Sequence, residues 1–158
     1  MKIPMFAIVL LLSAPAFGQH DHMAEMNARG AEVMGFSQTK TTHHFVLTFD
    51  GGVIDVRAND VKDTESRDAI RMHFRHVSRM FAEGDFTDPM LVHATNVPGT
   101  AVMKRQKVAL HWDVEETPRG ARMVVTADNK AALDALHEFL RFQIEDHKTG
   151  DCEVPHGF

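Results

Sequence analysis

The sequence predicts an α+β fold, one two-layer domain in which a four-stranded antiparallel sheet carries two helices on one face. Three observations predict it. Two stretches, 41–58 and 107–127, alternate apolar and polar residues across a turn. Each is followed by an amphipathic helical pattern, at 64–82 and 129–149. The order strand, strand, helix therefore occurs twice, a duplicated ββα. Both copies close on Gly-Asp, in "MFAEGD" and "EDHKTGD", with Arg75 and Arg141 in matching register.

The chain opens with "MKIPMFAIVLLLSAPAFG". Lys2 precedes an apolar run, and small residues follow, which is the pattern of a secretory signal over residues 1–18. The run is too short to read as a spanning helix. Removing 18 of 158 residues leaves 140, enough for one domain with its own core. The expected setting is periplasmic or secreted. Residues 19–40 read as a His/Met-containing linker with one short helix, interrupted by Gly30 and Gly35, and the folded domain is expected over 41–151.

In "TTHHFVLTF", Phe45, Leu47 and Phe49 share one face and His44, Val46 and Thr48 the other. "DGG" at 50–52 is the turn, and "VIDVRA" returns with Ile54 and Val56 inward. Asp63 or Thr64 caps the first helix, Ile70, Phe74, Val77 and Phe81 form its apolar stripe, and Gly84 stops it. Residues 85–105, punctuated by Pro89, Pro98 and Gly99, read as loop. "KVALHWDVEE" places Val108, Leu110, Trp112 and Val114 inward, "TPRG" turns the chain and "ARMVVTA" returns. Asp128 is the expected cap of the last helix, Leu133, Leu136, Leu140 and Ile144 its apolar side, and Gly150 its stop. Residues 152–158 form a tail. The outer sheet face would present His44, Thr48, Asp55, Arg57, His111, Asp113 and Glu115 to solvent or to a partner.

Composition directs the functional reading. Eleven His and ten Met stand against one Trp and no Tyr. Imidazole and thioether are both metal ligands, and the soft thioether favours Cu(I). On the first helix, His73, His76 and Met80 follow at spacings of three and four along one border of the apolar stripe. His43 has the parity of the core residues and would join them if its strand end meets the helix. "HDHMAEM" supplies His20, His22, Met23 and Met26 as a capture arm. The tail residues His147, Cys152 and His156 form a further group, against which a frayed terminus is the plainer reading. The net charge of −5 becomes −6 once Lys2 is removed, which argues against bulk binding to nucleic acid or to an anionic membrane. Cys152, the single cysteine, excludes an intramolecular disulfide and cysteine-paired zinc sites. No GxSxG, HExxH, phosphate-binding glycine loop or CxxCH is present.

The stretches "MGFSQTKTTHHF", "NVPGTAVM" and "LRFQIEDHKTGD" resemble a family of small exported bacterial proteins of uncharacterised activity, over roughly Met34 to Asp151. That resemblance implies export and assigns no functional residues. The expected function is therefore metal binding outside the cytoplasm, with copper as cofactor or cargo and zinc as the second metal, in delivery, storage or resistance. Two alternatives stand beside it. One is a binding module using the exposed sheet face, with a homodimer through that face or through Cys152. The other is a small enzyme with a histidine base such as His93.

Overall fold

A computed structural model describes residues 17–157, with side chains from residue 21 onward. The expected signal over 1–18 lies almost wholly outside the described residues. Strands β1 (Thr41–Leu47), β2 (Gly51–Ala58), β3 (Leu110–Thr117) and β4 (Gly120–Ala127) form one antiparallel sheet in the order β1-β2-β4-β3. Each hairpin contributes one inner and one outer strand. The two halves meet at β2 and β4, where Val56 pairs with Ala121 and Ile54 with Met123. The expected α+β architecture is the one observed.

Helices α1 (Phe17–Met34), α2 (Thr64–Ala82), α3 (Thr87–His93), α4 (Thr100–Arg105) and α5 (Lys130–His147) complete the domain. The two long helices of the ββα units cross over. α2 follows β2 yet packs mainly on β3 and β4, while α5 follows β4 and packs mainly on β1 and β2. Neither unit closes a core of its own. Ile70, Phe74, Val77 and Phe81 from α2 and Leu136, Leu140 and Ile144 from α5 share one cluster with Leu47, Met123 and Val125.

Local chemistry fixes the ends of these helices. The Asp63 carboxylate accepts from the Ser66 backbone N–H at 3.0 Å, satisfying one of the orphan donors of the first turn of α2. At the other end Gly84 takes φ +80°, and the N–H groups of Gly84 and Asp85 donate back to Phe81 and Met80. That is a Schellman closure, and it needs the left-handed residue that glycine supplies without strain. In α5 the cap is Asn129, which accepts from Ala132 N–H, one residue later than expected. Asp128 instead pairs with His111 of β3. Lys148 takes the left-handed conformation where α5 ends, two residues before Gly150, which is also at positive φ.

Four segments differ from their sequence reading. Residues 19–40, expected as a linker with one short helix, are helical up to Met34, in a helix that begins at Phe17. Gly30 is accommodated within the helix, Gly35 ends it at φ +78°, and Met26 is fully buried. The loop 85–105 contains α3 and α4, which bury Val92, His93, Thr100 and Met103. Val108, expected inward, is exposed. The chain makes a 3₁₀ turn at Lys107–Ala109 that buries Ala109 instead and shifts the strand start to Leu110. In the first hairpin β1 ends at Leu47, so Phe49 is exposed and Thr48 is buried in the turn.

The C-terminal tail is docked. Asp151 accepts from the Phe45 N–H and bonds His44, both at 2.9 Å, and His156 N–H donates to Leu47 O. The tail thus occupies backbone groups of the edge strand β1, which would otherwise template pairing with another chain. On the outer sheet face Arg122 pairs with Asp55 and Glu115. Cys152 is exposed. Among the described residues no helix is long and apolar enough to cross a membrane.

Candidate functional site

Between α2 and α5, on the core face of the sheet, the packing leaves a cavity of about 80 Å³. α3 contributes Pro89, Val92 and His93 to its wall, and α1 contributes Met34. The remaining wall is mostly hydrophobic, except that four histidines reach it: His43 from β1, His73 from α2, His93 from α3 and His147 from α5.

Each reaches it for a local reason. His43 pairs with Val56 across the β1–β2 ladder and so shares the core face with Phe45. His73 precedes the buried Phe74 and lies on the flank of the apolar stripe of α2. His147 is three residues beyond Ile144, on the apolar side of α5. The His43 and His147 rings stack with centres 5.3 Å apart, and His93 meets His147 edge-on at 5.0 Å. Phe36 packs against both His43 and His73, at 6.2 and 5.9 Å.

The four imidazoles differ in their partners. His93 is tied at both nitrogens: Nδ1–H donates to Asp146 Oδ2, and Nε2 lies 3.0 Å from the Gln143 side-chain amide, whose NH₂ group donates to it when turned toward the ring. Asp146 also bonds His22 of α1 at 2.8 Å. With both nitrogens engaged, His93 is a buttress and not a free base. His43, His73 and His147 make no hydrogen bond among the described residues, and His43 Nε2 is buried without a partner. By contrast His22, His44, His111, His137 and His156 all have one.

Burial holds these three rings neutral. His43 and His73 are each lowered to about 4, by desolvation first and then by a neighbouring histidine. His147 is lowered to about 3 by desolvation, followed by His43 and His93. Asp88, on the same wall, has its carboxyl raised by burial. A neutral imidazole offers a lone pair, which is the form that binds a metal ion. Among the described residues no group of three or more His, Cys, Asp or Glu side chains is placed to hold a metal ion.

The ligands expected from sequence separate in space. His73 and His43 reach the cavity together, as their spacing and parity suggested. His76 is exposed and Met80 half-buried, and neither lines the cavity: His76 is turned about 60° further from the apolar stripe than His73, and Met80 lies two turns, about 10 Å, further along the helix. His22 lies on α1 bound to Asp146. His20 falls in α1, its side chain outside the described residues. Met34 was not among the expected ligands, and His147 was expected only in a tail group with Cys152 and His156. His147 was legible, since it continues the stripe Leu136, Leu140, Ile144 by one more helical step. No protein family, curated protein or solved structure matches this chain.

Proposed function

We propose that this protein is an exported copper carrier that holds one Cu(I) ion in the cavity through His43 and His147, with His73 and the Met34 thioether on the same wall. One observation carries the reading. Three imidazoles without a hydrogen-bond partner among the described residues reach one mostly apolar cavity, and the Nε2 of His43 is buried there. A buried polar atom without a partner costs about 1–3 kcal/mol, and His43 Nε2 is such an atom. A cation that accepts its lone pair removes that cost. Neutral imidazole and thioether are donors that Cu(I) accepts with few ligands, whereas hard divalent cations take oxygen and water. The His/Met-rich composition and the leader over 1–18 agree with copper handling outside the cytoplasm.

The test is anaerobic competition for Cu(I) against a coloured chelator, with zinc run in parallel. The expected result is one Cu(I) per chain. His43→Phe with His147→Phe should weaken binding by at least about a hundredfold, some 2.8 kcal/mol, while His76→Gln with Met80→Leu leaves it unchanged. Equal affinity in all three proteins would remove the cavity from consideration. Preference for zinc over Cu(I) would overturn the choice of metal.

A further inference from the structure

The outer face of the sheet, opposite the two long helices, carries charges whose sign alternates from strand to strand. Pairing aligns His44, Asp55, Arg122 and Glu115 in one row across β1, β2, β4 and β3. Arg57 donates to His44 Nε2 at 2.6 Å and so brings its guanidinium to the β1 end of that row. The row therefore reads positive, negative, positive, negative. Arg122 lies 3.6 Å from Asp55 and 3.9 Å from Glu115, whereas Arg57 pairs with no carboxylate among the described residues. In the next row along the strands, Val46, Val53 and Val124 are followed by Asp113. Arg122 and Glu115 are exposed, and Asp55, Arg57, Val46 and Val124 are half-buried.

We infer that this face binds a second copy of the same chain. A two-fold axis parallel to the strands, between β2 and β4, lays β1 over the copy's β3 and β2 over its β4. Each row then meets its own reverse. Asp55 faces Arg122 of the second copy, the Arg57–His44 pair faces Glu115, and Val53 faces Val124. Arg57, the cation without a carboxylate, gains one. Asp113 comes over Val46 at the rim, where water still reaches it. A two-fold axis across the strands, along the charged row, would instead set Asp55 on Asp55 and Arg122 on Arg122, so the charges select one arrangement. It is the aligned packing that two twisted sheets ordinarily adopt. The sheet edges offer a second copy less. The docked tail occupies β1, and antiparallel pairing of β3 with itself would bring Asp113, Glu115 and Glu116 against their own copies. Four strands of seven or eight residues make a face of roughly 19 by 27 Å, so the pair covers roughly 1,000 Å² in total, the lower end for a specific interface. A weak, reversible dimer fits that size.

Sedimentation velocity of the metal-free wild type, from about 1 µM to about 1 mM and with reductant present to exclude a Cys152 disulfide, should show a monomer–dimer equilibrium. Asp55→Arg makes the centre of the face positive, and Arg122→Asp makes it negative. Each variant alone should self-associate at least about tenfold more weakly, with its circular dichroism spectrum unchanged. Mixed one to one, the two should form a heterodimer at least as tight as the wild-type dimer, because each supplies the charge that the other lacks. That rescue needs two chains, so the loss of the Asp55–Arg122 pair within either chain cannot produce it. Should either variant misfold, Glu115→Lys and Arg57→Glu replace them, with the same expected outcome. A wild type that stays monomeric to about 1 mM would overturn the proposal. So would single variants that dimerise as tightly as the wild type, or a mixture that associates no more tightly than its components.

Discussion

Lowering the pH should unfold the metal-free protein well before its carboxylates are protonated, and the cause lies in the three cavity imidazoles. His43 and His73 have values of about 4 in the folded protein and His147 about 3, against 6.5 for free histidine. Below pH 6.5 the unfolded chain binds protons at these positions while the folded chain does not. The stability they contribute is whole above pH 6.5 and is lost as the pH falls toward 4. Each such proton gives a slope of about 1.4 kcal/mol per pH unit, and three give about 4. Two units below 6.5 thus remove up to about 8 kcal/mol, comparable with the 5–15 kcal/mol that holds a typical domain together. The carboxylates lowered by hydrogen bonds, among them Asp63, Asp146 and Asp151, act only below 3.8 and so outside this window. Asp88, raised by burial, works in the opposite sense just above 3.8. The assay is urea unfolding followed by circular dichroism at pH 7.5, 6.5, 5.5 and 4.5. His43→Phe and His147→Phe should each flatten the dependence by about 1.4 kcal/mol per unit. At pH 7.5 His43→Phe should raise stability by about 1–3 kcal/mol, since it removes an unpartnered buried nitrogen and the adjoining cavity accepts the larger ring. A wild-type dependence as shallow as that of both variants would refute the reasoning.

Two further outcomes follow from single contacts. His137→Leu removes the Nε2–H that donates to Thr48 O and Gly51 O at 3.0 and 2.9 Å. Leaving a buried turn carbonyl without that donor should cost about 2–3 kcal/mol in urea unfolding, and a loss under 0.5 kcal/mol would show the turn carbonyls to be solvated. Asp151→Ala frees the Phe45 N–H and His44. It should cost about 1–3 kcal/mol and speed hydrogen exchange at Phe45, whereas protection equal to wild type would mean that the tail does not guard the β1 edge.

Elements with local causes could be read from the chain. The four strands follow from alternation, and α2 from Asp63, its apolar stripe and Gly84, all of which act over a few residues. α3 and α4 could not be read so, because seven and six residues show too little periodicity and their helicity rests on burying Val92 and Met103 against distant elements. α1 is similar: its pattern is weak, and what holds it is Met26 in the interior and Arg29 donating to Val92 O. Half of the site was legible by the same logic. Parity put His43 inside, and spacing put His73 at the border of the stripe. The extension to His76 and Met80 assumed a wider buried arc than α2 has.

By itself, the sequence determined the two ββα units, the ends of α2 and an unusual supply of imidazole and thioether. These depend on periodicity and short-range hydrogen bonding, which neighbouring residues settle between themselves. Only the tertiary structure decided which histidines matter. His43, His73 and His147 lie on three elements brought together when α2 and α5 cross over the sheet, and being without a partner is a property of surroundings rather than of residue type. His93 differs from them only because Asp146 and Gln143 stand within reach, a distinction made by packing across more than fifty residues of chain.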